Sequence, residues 1–264
     1  MRPVNKPSSV AIVTGAGTGV GAATARMLAS QGYGVVINYN RSADLAEQVV
    51  KDCLELGGDA FALQGDVSDD AVCRNLAAQA VGRWGRIDAL VNSAGATLFV
   101  PMSQLEDVQA ADFQKIFGIN AIAPFQMARA VATHMGNHGA IVNVSSVAGQ
   151  LGTGSSFPYV LSKAALNALT VGLARTLAPG IRVNAVLPGM IEGRWMRDGL
   201  GEEAYERVKR QFAENALLGQ IATPEHIAKS VCWLLAPDCL MTGQLMVVDG
   251  GATLGRPPAA TGKK

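Results

Sequence analysis

The sequence predicts an α/β fold in which a doubly wound, parallel sheet of seven strands carries helices on both faces. Seven short apolar runs alternate with longer amphipathic stretches along the 264 residues, which is the pattern of a parallel sheet covered by helices. The runs are apolar throughout, as expected of strands that are buried on both faces. Because no linker or internal repeat divides the chain, we expect a single domain over 1–264.

The predicted strands are short and rich in β-branched residues, and helices are predicted between them. In chain order the apolar runs cover 10–13, 35–37, 61–63, 87–91, 141–144, 183–187 and 245–248. An Ala-rich helix over 22–29 stops at Gly32, and a second helix covers 42–56. A third helix runs toward Arg83 from Ser68, which is a good N-cap residue. Residues 1–8 and 256–264 are expected to be loose tails.

Composition excludes several classes of function. The net charge of +1 and the 5% of aromatic residues argue against a nucleic-acid partner, which usually needs a basic face or a stacking platform. No apolar segment reaches the roughly 18 residues of a membrane span, and the run 10–13 is too short for a signal peptide. The cysteines lack metal spacing, so we expect buried free thiols and a cytoplasmic compartment; they are Cys53, Cys73, Cys232 and Cys239.

Two histidines have a spacing that metal sites also use. His134 and His138 are four residues apart in a sequence that contains three histidines in total. No acidic residue or cysteine lies near them, so no second pair of ligands is available. We therefore assign no metal to this chain.

A glycine-rich segment follows the first predicted strand and opens the first helix. It reads Thr-Gly-Ala-Gly-Thr-Gly-Val-Gly over 14–21. Glycines let the backbone approach a pyrophosphate, and a helix N-terminus offers free N–H groups with a partial positive charge. Because the segment lies between a strand and a helix at the start of an α/β pattern, we interpret it as a Rossmann-type dinucleotide loop.

A tyrosine, a lysine and a serine form a candidate catalytic group. Tyr159 and Lys163 are four residues apart and share one face of a predicted helix. A tyrosine has an ordinary pKa of about 10, and a nearby ammonium group favours the phenolate and lowers that pKa. Ser146 ends the fifth strand, at the carboxyl edge where sheets of this class bind their ligands. Together these groups are suited to general acid and base catalysis.

Further motifs follow the strands in a fixed order and point to a known family. They are Asp66-Val67, Asn92-Ser93-Ala94-Gly95, Asn120 within a long helix, Ser145-Ser146, Tyr159-x-x-x-Lys163, Pro188-Gly189 and Val248-Asp249-Gly250-Gly251. With the glycine loop, this set resembles the short-chain dehydrogenase/reductases from about residue 9 to residue 251. The chain departs from the family at Ser93, where an asparagine is common, and at Gly193, where a threonine commonly contacts the nicotinamide carboxamide.

The resemblance implies an oxidoreductase that transfers a hydride between a nicotinamide cofactor and a carbonyl or secondary alcohol. It implies that Tyr159 exchanges a proton with the substrate oxygen and that Ser146 hydrogen-bonds this oxygen. Lys163 would lower the pKa of Tyr159 and bind the nicotinamide ribose, and Asn120 would hold a water that links Lys163 to solvent. Ser145 is the rival for the serine role, and the 13-residue spacing between Ser146 and Tyr159 favours Ser146.

The resemblance also implies a set of cofactor-binding residues. At the end of the second strand Tyr39 stands where NAD-preferring relatives carry an aspartate. Arg41 and Ser42 follow and can hold a 2′-phosphate, so we predict NADP(H) in preference to NAD(H). Asp66 would bond the adenine amino group, with Val67 packed on the ring. The full set is Gly15, Gly17, Thr18, Gly19, Val20, Gly21, Tyr39, Asn40, Arg41, Ser42, Asp66, Val67, Asn92, Ala94, Gly95, Tyr159, Lys163, Pro188, Gly189 and Ile191.

Residues 190–218 are predicted to form a lid that sets substrate choice. An apolar substrate pocket is expected from Leu98, Phe99, Leu151, Phe157, Trp195 and Met196. The family is mostly tetrameric or dimeric, so the resemblance implies a homotetramer or homodimer joined through the helices that carry Asn120 and Tyr159. The expected partner is a small carbonyl or alcohol, with no nucleic acid and no membrane.

Three alternative functions share parts of this pattern. A 3-oxoacyl-[acyl-carrier-protein] reductase shares every motif, but the turn 135–140 before the fifth strand carries no Lys or Arg for an acidic carrier. An NAD-dependent sugar or alcohol dehydrogenase is the second alternative. A regulator that binds NADP(H) without catalysis is the third, and the intact serine, tyrosine, lysine and asparagine set argues against it.

Overall fold

The computed structural model describes residues 7–255 and contains one parallel sheet of seven strands in the order β3-β2-β1-β4-β5-β6-β7. The strands are β1 (Ser9–Thr14), β2 (Tyr33–Tyr39), β3 (Asp59–Gln64), β4 (Ile87–Asn92), β5 (Met135–Val144), β6 (Ile181–Pro188) and β7 (Leu245–Val248). All neighbouring strands are parallel. The predicted α/β class is confirmed, and each strand contains the apolar run that predicted it.

Helices cover both faces of the sheet. They are α1 (Gly19–Ser30), α2 (Ala43–Glu55), α3 (Asp70–Trp84), α4 (Ala110–Phe117), α5 (Ala123–Ala132), α6 (Ala148–Leu151), α7 (Phe157–Leu177), α8 (Arg194–Leu200), α9 (Glu202–Asn215) and α10 (Pro224–Leu235). Successive strand residues point to opposite faces. Ala11 and Val13 therefore pack toward α1, α2 and α10, whereas Val10 and Ile12 pack toward α3, α5 and α7. This two-sided burial explains the continuous apolar runs.

The sheet reverses its direction of growth between β1 and β4. The chain builds β2 and β3 on one side of β1, and then crosses over to place β4 on the other side. In doubly wound sheets a ligand crevice opens at this reversal, outside the carboxyl ends of the strands. The glycine loop leaves β1 at this point, and the Asn92-Ser93-Ala94-Gly95 motif leaves β4 beside it.

Two local predictions need correction. Asp69, not Ser68, caps α3, because its carboxylate accepts the N–H of Ala71 at 2.9 Å, and the Ser68 hydroxyl instead donates to Asp66 at 2.8 Å. The helix around Asn120 is also not continuous. A π-helical turn over Gly118–Ile122 joins α4 to α5 and buries Asn120. Such turns are rare and occur often at functional sites.

The predicted N-terminal tail is shorter than expected within the described residues. Pro7 is buried, and a Cβ added at Gly34 would lie 2.9 Å from the Pro7 Cγ. The remainder of that tail, and the tail over 256–264, lie outside the described residues. Between residues 7 and 255, no helix is both long and apolar enough to cross a membrane. All four cysteines are free thiols.

Candidate active site

A cavity of about 720 Å³ opens at the carboxyl ends of the strands. Predicted residues that line it are Gly15, Thr18, Gly19, Val20, Asn40, Asp66, Val67, Ala94, Gly95, Ser146, Tyr159, Lys163, Pro188, Gly189 and Ile191. The fold thus brings the glycine loop and three of the four candidate catalytic residues, Ser146, Tyr159 and Lys163, to one space. Other predicted residues do not line the cavity: Gly17, Gly21, Tyr39, Arg41, Ser42, Asn92 and Asn120.

The glycine loop forms a cradle that side chains would fill. A Cβ at Gly15 would lie 2.7 Å from the Cα of Ala94, and a Cβ at Gly21 would lie 2.6 Å from the Gly15 carbonyl oxygen. Gly19 has a φ of +54° and would place its Cβ in open space, on the side that lines the cavity. Two glycines therefore permit close packing, while Gly19 leaves backbone open at the start of α1. These residues fit a dinucleotide pyrophosphate.

The side chain of Thr14 fixes the glycine loop to the end of β4. Its hydroxyl accepts the N–H groups of Ser93 and Ala94, both at 3.1 Å, and donates to the Val91 carbonyl at 3.4 Å. Thr14 is buried. This contact holds the two cofactor motifs together, and the sequence analysis did not assign it.

Asn38 performs a similar function from β2 and was also missed. Its amide nitrogen donates to the carbonyls of Leu63 and Gly65, at 3.3 Å and 3.0 Å. Its side-chain oxygen accepts the N–H of Gly15 at 3.4 Å. Asn38 is buried yet polar, at the end of an apolar strand. Because buried polar groups need partners, that interruption of the apolar run was the available signal.

The first turn of α7 places Tyr159 beside Ser146. The hydroxyl of Ser156 caps this helix and accepts the N–H of Tyr159 at 3.4 Å. Burial raises the pKa of Tyr159, and a hydrogen bond with Ser146 partly offsets that rise. The phenol is therefore protonated at neutral pH, as an acid that donates a proton must be.

Lys163 lies one turn further along α7 and faces the same cavity. Its ammonium nitrogen donates to the Val144 carbonyl at 2.9 Å and lies 5.8 Å from the centre of the Tyr159 ring. Burial lowers the pKa of Lys163 to about 8. The structure differs here from the expectation that Lys163 lowers the pKa of Tyr159, because the desolvation of the phenol dominates.

The two candidate serines have different surroundings. The Ser145 hydroxyl donates to the side-chain oxygen of Asn167 at 2.7 Å and is engaged with α7. The Ser146 hydroxyl accepts the N–H of Ala148 at 3.1 Å and interacts with Tyr159. These contacts favour Ser146 as the residue that meets a substrate oxygen.

Asn120 connects the loop after β4 to α7. Its side-chain oxygen accepts the N–H of Ala96 at 2.8 Å, and its nitrogen donates to the Ala96 carbonyl and the Ser162 hydroxyl, both at 2.9 Å. Ser162 in turn donates to the Tyr159 carbonyl at 2.7 Å. A Cβ at Gly95 would lie 3.6 Å from the Asn120 oxygen and 3.9 Å from the Lys163 nitrogen. Gly95 therefore borders the space between these two groups.

The end of β2 carries an exposed arginine close to a fixed carboxylate. Asp66 accepts hydrogen bonds from the Ser68 N–H at 2.9 Å and from Asn40 at 3.1 Å. The Ser68 backbone is the main reason that the pKa of Asp66 is lowered, and the positive charge of Arg41 contributes. Arg41 is exposed and makes no ion pair with any residue between 7 and 255.

The predicted substrate end of the cavity, beside the predicted lid, is mainly apolar. Of the predicted pocket residues, Phe99, Leu151, Trp195 and Met196 line it, whereas Leu98 and Phe157 do not. The predicted lid consists largely of α8 and α9, which add Leu200, Val208 and Phe212.

Aromatic rings close this end of the cavity. The ring of Trp195 lies 6.0 Å from that of Tyr159 and 6.5 Å from that of Phe99. A Cβ at Gly199 would overlap the Phe99 ring, so glycine permits α8 to pack this closely. Within residues 7–255, no cluster of His, Cys, Asp or Glu is suited to hold a metal ion.

Comparisons with known proteins match most of the chain to one family. A family model described as enoyl-(acyl carrier protein) reductase matches residues 15–253. A 3-oxoacyl-[acyl-carrier-protein] reductase from Staphylococcus aureus is 36% identical over 253 residues, which cover 93% of this chain and 98% of the relative. The solved structure of a dehydrogenase/reductase from Sinorhizobium meliloti has a TM-score of 0.85 and 34% identity, over 94% of this chain and 96% of that chain.

A second solved structure is similar and contains a nucleotide. It is a short chain dehydrogenase from Burkholderia cenocepacia in complex with NADP, with a TM-score of 0.85 and 32% identity. The match covers 94% of this chain and 100% of that chain.

Proposed function

Because this chain belongs to the short-chain dehydrogenase/reductase family of oxidoreductases, we propose that it interconverts a carbonyl and a secondary alcohol with NADP(H). The observation that carries the proposal is the position of Ser146, Tyr159 and Lys163 along one cavity. The other end of that cavity is the glycine cradle, so a dinucleotide there and a substrate beside Tyr159 would share one space. This arrangement is suited to a reaction between the two.

The proton chemistry follows from the surroundings of each side chain. When bound, NADP(H) supplies or accepts the hydride that, with one proton, interconverts the carbonyl and the alcohol. Ser146 donates a hydrogen bond to the substrate oxygen and orients it. Tyr159 gives its phenolic proton to that oxygen in reduction and recovers one in oxidation.

Lys163 and Asn120 are proposed to support this proton transfer. The Lys163 ammonium favours the tyrosinate once the proton has left, and it would bind the ribose hydroxyls. We propose that a water beside Gly95 links Lys163 to Asn120. The support for this step is the space that borders both groups.

We propose a preference for NADP(H) over NAD(H). Tyr39 replaces the aspartate that would repel a 2′-phosphate, and Arg41 is exposed next to it without an ion pair among residues 7–255. A guanidinium group binds phosphate through charge-assisted hydrogen bonds. The similar Burkholderia cenocepacia structure in complex with NADP supports the same choice.

A 3-oxoacyl-[acyl-carrier-protein] reductase is the second candidate function. The Staphylococcus aureus relative has this name, and that observation favours it. The segment 135–140, predicted as a turn before the fifth strand, forms the first part of β5 in the structure. It carries no Lys or Arg to meet an acidic carrier, which argues for a free small molecule. A sugar substrate fits less well, because Phe99, Leu151 and Trp195 make the substrate end apolar.

We also propose an assembly of two or four copies in the cytoplasm. Large apolar side chains are exposed on the π turn, on α5 and on α7, at Ile122, Phe125 and Leu161. Such a patch indicates a protein interface. The reducing compartment is supported by the four free thiols.

The test is NADPH oxidation with a panel of ketones, aldehydes, quinones and acyl thioesters, with Tyr159→Phe as the key variant. The ring remains, so folding and NADPH binding should persist while the proton donor is lost. We expect turnover to fall by about 10²- to 10⁴-fold. Tyr33→Phe is the matched control, since Tyr33 lies at the start of β2, outside the cavity. A Tyr159→Phe variant that keeps normal turnover would contradict the proposed mechanism.

A further inference from the structure

A second, smaller cavity lies beside the first one, behind the substrate end. It has a volume of about 220 Å³ and is formed by α6, α9 and the segment after β7. Val147, Leu151, Gly189 and Phe212 line both cavities, so the two spaces share a wall. The volume corresponds to about seven waters, at roughly 30 Å³ each, and is large enough for a chain segment of several atoms.

Two large apolar side chains in the shared wall remain exposed. Leu151 comes from α6 and Phe212 from α9, and they are 52% and 40% exposed. Large apolar groups that face a cavity rather than the core lose the stabilisation that burial provides. A bound apolar chain would cover them, and exposed apolar surface in a cleft of this kind indicates a ligand.

The far side of the second cavity is polar but uncharged. Gln211 and Asn215 are four residues apart on α9, and Thr253 faces them from the segment after β7. No side-chain hydrogen bond within residues 7–255 engages these two amides or the Thr253 hydroxyl. Among residues 7–255, no charged side chain lines this space. An amide or hydroxyl group would find partners here, whereas a carboxylate or phosphate would find no cation in the described part of the chain.

We propose that the second cavity binds the distal arm of an elongated substrate, and that Phe212 is a specificity-determining residue between the two cavities. This inference rests on the proposed function. The carbonyl lies at Tyr159, an apolar segment passes Leu151 and Phe212, and an uncharged amide or hydroxyl end reaches Asn215. The large cavity must also hold a dinucleotide, so its substrate end alone suits only short carbonyl compounds.

The first test uses linear methyl ketones of increasing length, each made with a terminal methyl group and with a terminal carboxamide. Once the alkyl chain of the ketone is long enough to reach α9, we expect kcat/KM to be about 3- to 10-fold higher for the carboxamide than for the methyl-terminated ketone. This factor corresponds to one added hydrogen bond. Asn215→Leu should bring this ratio close to one. Asn75→Leu, a similarly exposed asparagine on α3 outside both cavities, should leave the ratio as in the wild type.

The second test changes the size of the residue in the shared wall. Phe212→Trp should lower kcat/KM for long ketones about tenfold more than for short ones, and Phe212→Ala should change the ratio in the opposite direction. Leu54→Trp places the same indole on α2, where Leu54 is 50% exposed and lines neither cavity. Leu54→Trp should leave unchanged both the ratio of kcat/KM for long and short ketones and the ratio for carboxamide and methyl-terminated ketones.

Calorimetric binding of the long carboxamide ketone separates failure of the inference from failure of the proposed function. If no ketone is reduced but this ketone binds and Asn215→Leu weakens its binding, the proposed function is wrong and the second cavity is a binding site. If short ketones are reduced, and neither Phe212→Trp nor Asn215→Leu changes any ratio, the inference is overturned while the proposed function stands.

Discussion

Burial determines the protonation of the two titratable residues in the candidate site. The same desolvation acts in opposite directions, because it disfavours whichever form is charged. It raises the pKa of Tyr159 and lowers that of Lys163 to about 8. At neutral pH the tyrosine holds its proton and the lysine remains charged. This combination is suited to the reductive direction, in which Tyr159 is the acid.

Because the pKa of Lys163 is lowered in the folded protein, we predict that the free energy of unfolding depends on pH. Its pKa is about 8 in the folded protein and about 10.5 in the unfolded chain, so between these values the unfolded state binds more protons. The free energy of unfolding of the wild type, relative to Lys163→Met, should therefore rise with pH from about 8 to 10.5, by on the order of 3 kcal/mol.

Urea titrations of both proteins between pH 7 and 11 measure this difference. Below pH 8 the lysine is protonated in both states, and the difference should not change with pH. A difference that is constant up to pH 11, or that falls across this range, would show that Lys163 is not desolvated. Lys229→Met serves as the control, because Lys229 is exposed on α10.

Arg41 carries the prediction for cofactor choice. A charge-assisted hydrogen bond contributes about 1.5–3 kcal/mol, so Arg41→Ala should weaken NADPH binding by about 10- to 150-fold. NADH lacks the 2′-phosphate, and its affinity should change little. Since Arg41 is exposed, high salt should reduce the preference of the wild type for NADPH.

Fluorescence titration with both cofactors at two ionic strengths measures these affinities. Arg175→Ala is the matched control, because Arg175 is exposed on α7 and does not line the cavity. Equal weakening of NADPH and NADH would mean that Arg41 supports the adenosine or the loop rather than the phosphate. A wild type that prefers NADH would reject the NADP(H) assignment.

At the level of elements, the sequence predicted strands better than the contacts that connect them. Apolar runs reveal two-sided burial directly, so every strand was found. The N-cap residue of α3 was not predicted correctly, because Ser68 and Asp69 are both good N-cap residues. Asp69 caps the helix because the Ser68 hydroxyl is hydrogen-bonded to Asp66. The π turn at Asn120 leaves no trace in hydrophobic periodicity, since it inserts one residue into an otherwise helical segment.

Gly199 shows a related limit. In the sequence it is one residue of the lid predicted over 190–218. In the structure it lets α8 pack on the ring of Phe99, a contact between segments about 100 residues apart in the chain. Local propensity could not specify this contact, because it depends on which side chains the tertiary fold places opposite the glycine.

Asn38 links three elements, and this gives a prediction at the same scale. Asn38→Leu would leave the carbonyls of Leu63 and Gly65 without these partners. An unsatisfied buried polar group costs about 1–3 kcal/mol, so we expect the free energy of unfolding to fall by about 2–4 kcal/mol. NADPH binding should also weaken, since Gly15 loses a contact.

Urea unfolding monitored by circular dichroism measures this loss. Asn40→Leu is the matched control, because Asn40 is exposed at the end of the same strand and donates one hydrogen bond to Asp66. Its change in stability should be below about 0.5 kcal/mol. If both variants lose the same stability, the buried network around Asn38 does not hold the loop.

At the scale of the whole molecule, the parallel sheet explains why distant motifs form one site. Parallel strands present their carboxyl ends at the same edge, so residues that follow β1, β4, β5 and β6 meet without any local signal. For this reason the sequence predicts that the glycine loop and the motifs after these strands lie together, and in the structure they border one cavity. The substrate end was predicted less completely, because Val208 and Phe212 come from α9, whose position against the sheet the sequence pattern does not determine.

The proposed assembly follows from what this architecture leaves exposed. Ile122, Phe125 and Leu161 are 49%, 43% and 46% exposed, and they come from neighbouring elements on the surface beside α7. Leu161 is two residues from Tyr159 and points to solvent, so an interface here would hold the helix that carries the candidate catalytic residue. Closed pairs about a two-fold axis are the commonest assembly of identical chains.

Leu161→Glu should therefore dissociate the proposed oligomer into species of lower mass, because it places a charge in an apolar contact between copies. Sedimentation velocity of the wild type should give a dimer or tetramer, and the variant should shift toward smaller species at the same concentration. Leu45→Glu on α2, at 40% exposure, should not shift the distribution. A wild type that is monomeric at micromolar concentration, or a Leu161→Glu variant of unchanged mass, would exclude this face as the interface. If the variant dissociates and also loses turnover while NADPH still binds, the interface stabilises the position of α7 rather than the glycine cradle.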